Sequence, residues 1–250
     1  MPRTDPAAST ALPVAHEFAP GLFVRGIAPP LALADFKLIA FDMDSTLINI
    51  ECIDEIADAA GRKAEVAAIT EAAMRGEIAD FSESLRRRVA LLAGVPEAAL
   101  NEVYMNRLKL NPGVERFVDA CRAAGMTTVL VSGGFTYFAD RVQARLGIDL
   151  ARSNVLEIQH GRLTGRLSDR PDGGIVDGAE KRRVVLAACD AHGVTPERAI
   201  AVGDGANDLP MMRAVGLSIG FHAKPAVRAE AHVSVTTGGL DRALEVFGPG

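Results

Sequence analysis

Five short, mostly apolar runs constrain this chain more than anything else in it: "KLIAF" (37–41), "TTVLV" (127–131), "AIAV" (199–202), "LSIGF" (217–221) and "HVSV" (232–235). Most are flanked by Gly, Ser or Asp. Runs this short and this apolar suit parallel strands buried on both faces. Between them lie amphipathic stretches such as "PGVERFVDACRAAG", "FTYFADRVQARLG", "AEKRRVVLAACDAHG" and "NDLPMMRAVG", several of which end in Gly, a common helix stop. Alternation of strand and helix predicts an α/β fold with a doubly wound parallel sheet. Right-handed crossovers then bring the C-terminal ends of the strands to one edge, where ligands bind.

One block interrupts the alternation. Residues 50–110 hold four helical patterns and no strand pattern, which predicts a helical cap, or lid, inserted after the first strand of a core formed by 36–49 and 111–250. "NVLEIQHGRLTGRL" (154–167) alternates about a central "HG", as a β-hairpin does. Residues 1–35 are rich in Pro and Ala without a steady period, and predict an N-terminal extension, a loose tail that partly packs on the body.

With 48% apolar residues among 250, a large core is available. A formal net charge of −5 gives no electrostatic footprint for nucleic acid or an anionic membrane. No apolar run approaches the roughly 18 residues of a membrane span, and the N-terminus lacks the pattern of a signal peptide. Cys52, Cys121 and Cys189 are odd in number and far apart, so they predict free thiols in a reducing cytoplasm. Monomer and homodimer are both compatible with the sequence.

The predicted ligand edge gathers a particular set of residues. "FDMDST" places Asp42 and Asp44 at the end of the first apolar run. "VLVSGGF" places Ser132, Gly133 and Gly134 at another strand end, "GDGAND" places Asp204, Asn207 and Asp208 at a third, and Lys181 stands at a helix start. Each piece alone has a plain reading as a solvated loop or a turn. Together they crowd four carboxylates into one place, where each raises the others' pKa unless a cation compensates. Hard oxygen donors from separate loops are what Mg²⁺ takes, its shell completed by water and a substrate phosphate. Ser132 and the glycine amides can cradle phosphate oxygens, and Lys181 adds a compact positive charge. The set describes phosphoryl transfer, in which positioning and charge neutralisation carry most of the catalysis.

In order and type these motifs resemble the haloacid dehalogenase superfamily: Asp42-Met43-Asp44-Ser45-Thr46, then Ser132, Lys181 and Gly203-Asp204…Asp208. Within it, "FDMDSTLINIECIDEIADAAG", "MRGEIADFSESLRRRVALLAG", "VSGGF" and "AVGDGANDLPMM" are similar to stretches of the phosphoserine phosphatase family. The resemblance runs from about residue 37 to the end. It implies a phosphomonoester hydrolase in which Asp42 attacks phosphorus and forms an aspartyl-phosphate, while Asp44 protonates the leaving alcohol and then activates water. It implies Mg²⁺ on the Asp42 carboxylate, the Asp44 carbonyl and the Asp204 carboxylate, with Asp208 orienting the metal's waters. Ser132, the Gly133 amide and Lys181 would hold the phosphoryl oxygens, with Asn207 close by and Thr46 supporting the loop.

Substrate choice falls to the lid. By the same resemblance Glu51 takes the ammonium of phosphoserine, Arg88 clamps its carboxylate, and Met74 and Phe81 supply apolar contacts. Between Gly76 and Phe81 this chain is one residue longer than the family's usual spacing, which makes Arg88 rather than Arg87 the clamp. A related phosphatase acting on another small phosphomonoester would keep the core set and change the lid. A phospho-receiver module also combines Asp, Mg²⁺ and Lys, but carries its phosphorylated Asp on an interior strand and has no inserted lid.

Overall fold

The computed structural model describes residues 13–75, 77–78, 80–169 and 174–248. In chain order its elements are β1 (His16–Ala19), β2 (Leu22–Val24), β3 (Leu38–Phe41), α1 (Cys52–Ala59), α2 (Lys63–Met74), α3 (Phe81–Ala90), α4 (Ala98–Asn106), α5 (Val114–Ala123), β4 (Thr127–Phe135), α6 (Thr136–Leu146), β5 (Leu150–Asn154), β6 (Leu156–Gln159), β7 (Arg162–Leu167), α7 (Gly178–Ala191), β8 (Ala199–Gly203), α8 (Leu209–Met212), β9 (Leu217–Phe221), α9 (Pro225–Arg228) and β10 (Val233–Val235). An eight-stranded sheet runs in the order β1-β2-β10-β9-β8-β3-β4-β5. The block from β10 to β5 is parallel.

The five apolar runs became five neighbouring strands because each carries two buried faces. On β3, Ile39 and Phe41 join one cluster while Leu38 and Ala40 join the other, and β8 splits in the same way. The larger residues meet α5 and α6, where Phe41 and Phe117 pack edge to face. The small side chains of Ala40, Ala199 and Ala201 let α7 and α8 lie close on the opposite face. The chain leaves β3 toward β4 on one side and reaches β8 on the other, so the reversal of strand order falls at β3, the place where such sheets bind ligands.

Residues 50–110 supply α1 to α4 and no strand. The two crossings of the chain into and out of this segment are paired: Ile48 bridges Leu110, the Asn49 N–H donates to the Lys109 carbonyl, and the Lys109 N–H donates to Asn49 Oδ1. The predicted hairpin forms as β6–β7, with His160 and Gly161 both at positive φ (51° and 70°), as a tight primed turn requires. It also bonds the helical segment, Gly94 N–H to Leu163 carbonyl at 2.8 Å and Leu163 N–H to Val95 carbonyl at 2.9 Å.

Two expectations change, and one strand was not anticipated. Part of the N-terminal extension is sheet, because "EFAPGLFV" folds about Pro20-Gly21 into β1–β2, which continues the sheet antiparallel to β10. Residues 1–12 of that extension lie outside the description. β5, "LARSN", is an edge strand without an apolar pattern; Arg152 donates to the Gly174 carbonyl and Asn154 to the Gly133 carbonyl. "NDLPMMRAVG" forms only a tight turn and the four-residue α8, with Pro210 in its first turn. Among the described residues no helix is long and apolar enough to cross a membrane.

Leu22 is fully buried in β2. Leu22→Ala should therefore lower unfolding stability by about 2–5 kcal/mol, read by urea denaturation; a loose tail would give no change.

Candidate active site

Asp42 leaves the end of β3 with its N–H on the Val202 carbonyl of β8, 2.9 Å away, and only 4% of its surface exposed. The chain then turns sharply. Asp44 (φ −65°, ψ 133°) and Ser45 (φ 58°, ψ −5°) have the dihedrals of a type II turn, which asks for a left-handed residue in its second central place. Ser45 occupies that place without being glycine. Asn111 holds it there: its side-chain amide donates toward the carbonyls of Ser45 (3.3 Å), Thr46 (2.9 Å) and Ile48 (2.9 Å). Thr46 is buried within this loop.

The turn sends the Asp44 side chain back over the sheet edge. A Cβ placed on Gly134 would lie 3.2 Å from Asp44 Oδ2 and 2.9 Å from Met43 Cε, so the loop after β4 approaches the turn more closely than a side chain would permit. Cys52 cradles the same carboxylate, its N–H on Oδ2 and its S–H on Oδ1, both at 3.2 Å. Burial, with help from the charge of Glu51, pushes the Asp44 carboxyl up to about 7, while Cys52's bonds pull the other way.

Lys181 sits in the first turn of α7 and is completely buried. Its ammonium donates to Asp42 Oδ1 and, at 2.6 Å, to Asp208 Oδ1. Burial opposes its charge, yet Asp208 and Asp42 outweigh burial and hold its pKa above the ordinary lysine range. Burial and then Asp208 push the Asp42 carboxyl well up, with Lys181 opposing. The other Asp208 oxygen accepts the amides of Asp204 and Gly205 at 3.1 Å each. A Cβ on Gly203 would lie 2.5 Å from Asp208 Cγ, which is why a residue without a side chain ends β8.

Asp42, Asp204 and Asp208 each offer a carboxylate oxygen, and these lie within 4.8 Å of one another. Three hard donors converging from two strand ends fit a divalent cation of the Mg²⁺ kind. Burial raises the Asp204 carboxyl, and Lys224, 3.3 Å from its Oδ2, lowers it.

Ser132, Gly133 and Gly134 end β4 just before α6, as the sequence predicts. The Gly134 amide, expected to face phosphate oxygens, instead donates to Ser132 Oγ at 2.9 Å. Asn154 holds the Gly133 carbonyl through Nδ2 (2.8 Å) and the Val176 amide through Oδ1 (2.9 Å). Phe81 lies over this loop, its Cζ 3.1 Å from where a Gly133 Cβ would stand.

On the side of the helical segment, Glu51 accepts the Ser45 hydroxyl at 2.7 Å. Arg88 is half-buried on α3, within the fields of Asp54, Glu51 and Asp44, whereas Arg87 is exposed and pairs with Glu83 at 2.8 Å. Asn207 is half-buried, with Oδ1 beside Gly205. Met74 ends α2, and its side chain lies outside the description, as do Gly76 and Ala79 in the stretch of altered spacing. Cys52, Asn111, Asn154 and Lys224 were not anticipated. Only Asn154 carried a signal, as the polar residue that opens the hairpin pattern.

The model of the haloacid dehalogenase-like hydrolases matches residues 39–213. The chain belongs to the haloacid dehalogenase-like hydrolases. A phosphoserine phosphatase of Albidiferax ferrireducens is 67% identical over 231 residues, 92% of this chain and 98% of that one. A phosphoserine phosphatase of a Polaromonas species is 64% identical over 230 residues, again 92% and 98%. A solved structure described as a phospho-aspartyl intermediate analogue of phosphoserine phosphatase superimposes with a TM-score of 0.78 at 36% identity, covering 85% of this chain and 99% of the other. This haloacid dehalogenase-like hydrolase is thus an enzyme of the phosphoserine phosphatase branch.

Lys181→Met should leave Asp42 and Asp208 buried without their ammonium. The metal-free protein should lose about 3–5 kcal/mol of stability, the usual result of breaking a buried pair from one side. Urea denaturation in EDTA measures it; no loss would mean the carboxylates are neutral in the folded state.

Proposed function

We propose that this chain is a Mg²⁺-dependent phosphatase that hydrolyses O-phospho-L-serine to L-serine and phosphate through an aspartyl-phosphate on Asp42. The observation that carries the reading is the convergence of Asp42, Asp204 and Asp208 beside Lys181, with Asp44 aimed across the Gly134 loop. The relatives named above support the choice of substrate.

In the first half, an Asp42 oxygen bonds to phosphorus as the P–O bond to the serine oxygen breaks. Asp44 gives its proton to that oxygen, so the alcohol leaves neutral. In the second half, the Asp44 carboxylate takes a proton from water, whose oxygen bonds to phosphorus and releases Asp42. A carboxyl pushed up to about 7 is suited to give and recover a proton near neutrality. The Asp42 and Asp204 carboxylates and the Asp44 carbonyl would hold Mg²⁺, which would supply positive charge to offset that of the phosphate dianion. Asp208 keeps Lys181 and the Asp204 amide in place and would orient waters on the cation. Lys181, the Ser132 hydroxyl and the Gly133 amide face the phosphoryl oxygens, with Asn207 beside them.

Residues 50–110 act as the lid over a core of 36–49 and 111–250. Glu51 receives the substrate ammonium and Arg88 its carboxylate, with Phe81 and Met74 as apolar walls. The inward placement of Arg88, against the exposed Arg87–Glu83 pair, favours Arg88 as the clamp. Three buried free cysteines suit a cytoplasmic enzyme.

Phosphate release from L-phosphoserine, measured beside other phosphomonoesters, tests the reading. EDTA should abolish turnover and Mg²⁺ restore it. Asp42→Asn should remove turnover and covalent phosphate together; near-normal turnover would require another nucleophile. Arg88→Ala should lower kcat/KM for phosphoserine about 10- to 100-fold, the loss of a charge-assisted contact of roughly 1.5–3 kcal/mol. It should spare a phosphomonoester without a carboxylate, and Arg87→Ala should be nearly silent. Equal losses on both substrates in Arg88→Ala would rule out a specificity clamp.

A further inference from the structure

Lys224 belongs to none of the motifs singled out in the sequence, and the chemistry proposed above does not use it. It follows β9 by three residues. Its amide donates to the Asp204 carbonyl at 2.9 Å, which fixes its backbone beside the loop after β8. Its ammonium lies 3.3 Å from Asp204 Oδ2. A Cβ on Gly205 would come within 3.6 Å of that ammonium, so Lys224 reaches across the glycine that follows Asp204.

The placement completes a pattern of charge. Three carboxylates cluster here, and Lys181 bonds two of them, Asp42 and Asp208. The third, Asp204, faces Lys224. The two lysines differ in surroundings: Lys181 is sealed in the core, whereas the Lys224 side chain is 63% exposed against 11% for Asp204. The other charges acting on Lys224 are those of Glu51, from the lid side, and Asp208. A lysine ammonium is a compact charge on a flexible four-carbon stem. This one is anchored at its backbone and free toward solvent at its tip, so it can leave a carboxylate that a stronger cation claims.

We infer that Lys224 is a positioning residue: the resident counter-charge of Asp204, which a divalent cation must displace, and hence a determinant of how tightly the site holds its metal. The inference rests on the metal site proposed above. In the metal-free protein the ammonium keeps the Asp204 carboxylate turned into the cluster against repulsion from Asp42 and Asp208. When the cation binds, the same ammonium opposes it.

Titration calorimetry of Mg²⁺ into EDTA-stripped, dialysed protein tests this with wild type, Lys224→Met, Lys224→Gln and Lys224→Arg. The Met and Gln variants should bind Mg²⁺ about 3- to 10-fold more tightly, a modest gain because the pair is open to solvent. The Arg variant should match wild type. In about 1 M KCl, where the screening length falls to about 3 Å, the gain should shrink. Thermal melts give a second readout. The metal-free Met variant should melt below wild type, and saturating Mg²⁺ should close the gap, because tighter binding to the folded state stabilises it more. A merely structural lysine would leave the gap unchanged with Mg²⁺. Unchanged or weaker Mg²⁺ binding in both the Met and Gln variants, beside normal wild-type binding, would overturn this inference alone. Failure of the wild type to bind Mg²⁺ would overturn the metal site itself and this inference with it.

Discussion

A lysine with no exposed surface, bonded to two buried carboxylates, is the constraint on which this molecule turns. Taking three charges out of water is costly, and their mutual attraction repays it only when geometry and extra hydrogen bonds are good. Here they are supplied. Asp208 has its second oxygen on two backbone amides, and Asp42 sits at the end of a central strand whose neighbours on both sides are parallel. The ammonium arrives from α7, an element that reaches the edge only because a crossover helix returns over the sheet. Strand order, crossover and triad therefore depend on one another. The three groups join β3, α7 and the β8 loop more specifically than apolar packing can, since an apolar contact has no preferred direction.

The second constraint is closeness of backbone. Gly134 and Gly203 each leave too little room for a methyl group, against Asp44 and Met43 in one case and Asp208 in the other. At Gly134 two different strand ends meet at a carboxylate, and at Gly203 the loop after β8 folds back on the end of its own strand. Ser45 is the opposite case, a residue with a side chain in a left-handed conformation. Its hydroxyl bonds Glu51 and its carbonyl meets Asn111, so the strain of the turn is offset by contacts that a glycine could make only in part. Strain of this kind persists only where the surroundings over-determine it.

Five of the six parallel strands were legible in the sequence because a strand buried on both faces is mostly apolar, and five runs met that demand; β5, at the sheet edge, did not. The triad was legible as a pattern of Asp and Lys at strand ends and a helix start, although composition alone would leave Lys181 in solvent. What escaped was everything defined by contact rather than pattern. Asn111 closes the lid segment in sequence but bonds the loop after β3 in space. Lys224 follows a strand that carries no acidic motif, and only the packing of β9 against β8 brings it to Asp204. Cys52 is a thiol in the sequence and a double hydrogen-bond donor in the fold. β1 and β2 escaped for another reason: strands of four and three residues are too short to show a period, and Pro20-Gly21 was their only signal. The register of the arginine run sits between these cases. Helical spacing says that Arg86, Arg87 and Arg88 point in different directions, but only packing decides which one turns inward.

The helical segment is tied to the rest of the protein in two places of different kinds. One is the paired crossing at Ile48 and Leu110, next to the Asp44–Ser45 turn. The other is the edge that β7 offers to residues 94–95, where a Cβ on Gly165 would lie 2.9 Å from the Ala93 Cβ. Glu51 stands close to the first tie and takes its position from the same turn that aims Asp44. Arg88 stands on α3, whose end is held by the second. Glu51 and Arg88, the two charged groups that the proposed reading sets against the substrate, are thus positioned by separate ties. A change in the hairpin would move Arg88 and leave Glu51 in place, while a change at Asn111 would disturb Glu51 through Ser45 and leave Arg88. On the reading proposed above, recognition of two opposite charges on one small substrate would then depend on the distance between two anchors, which a single hinge could not hold fixed.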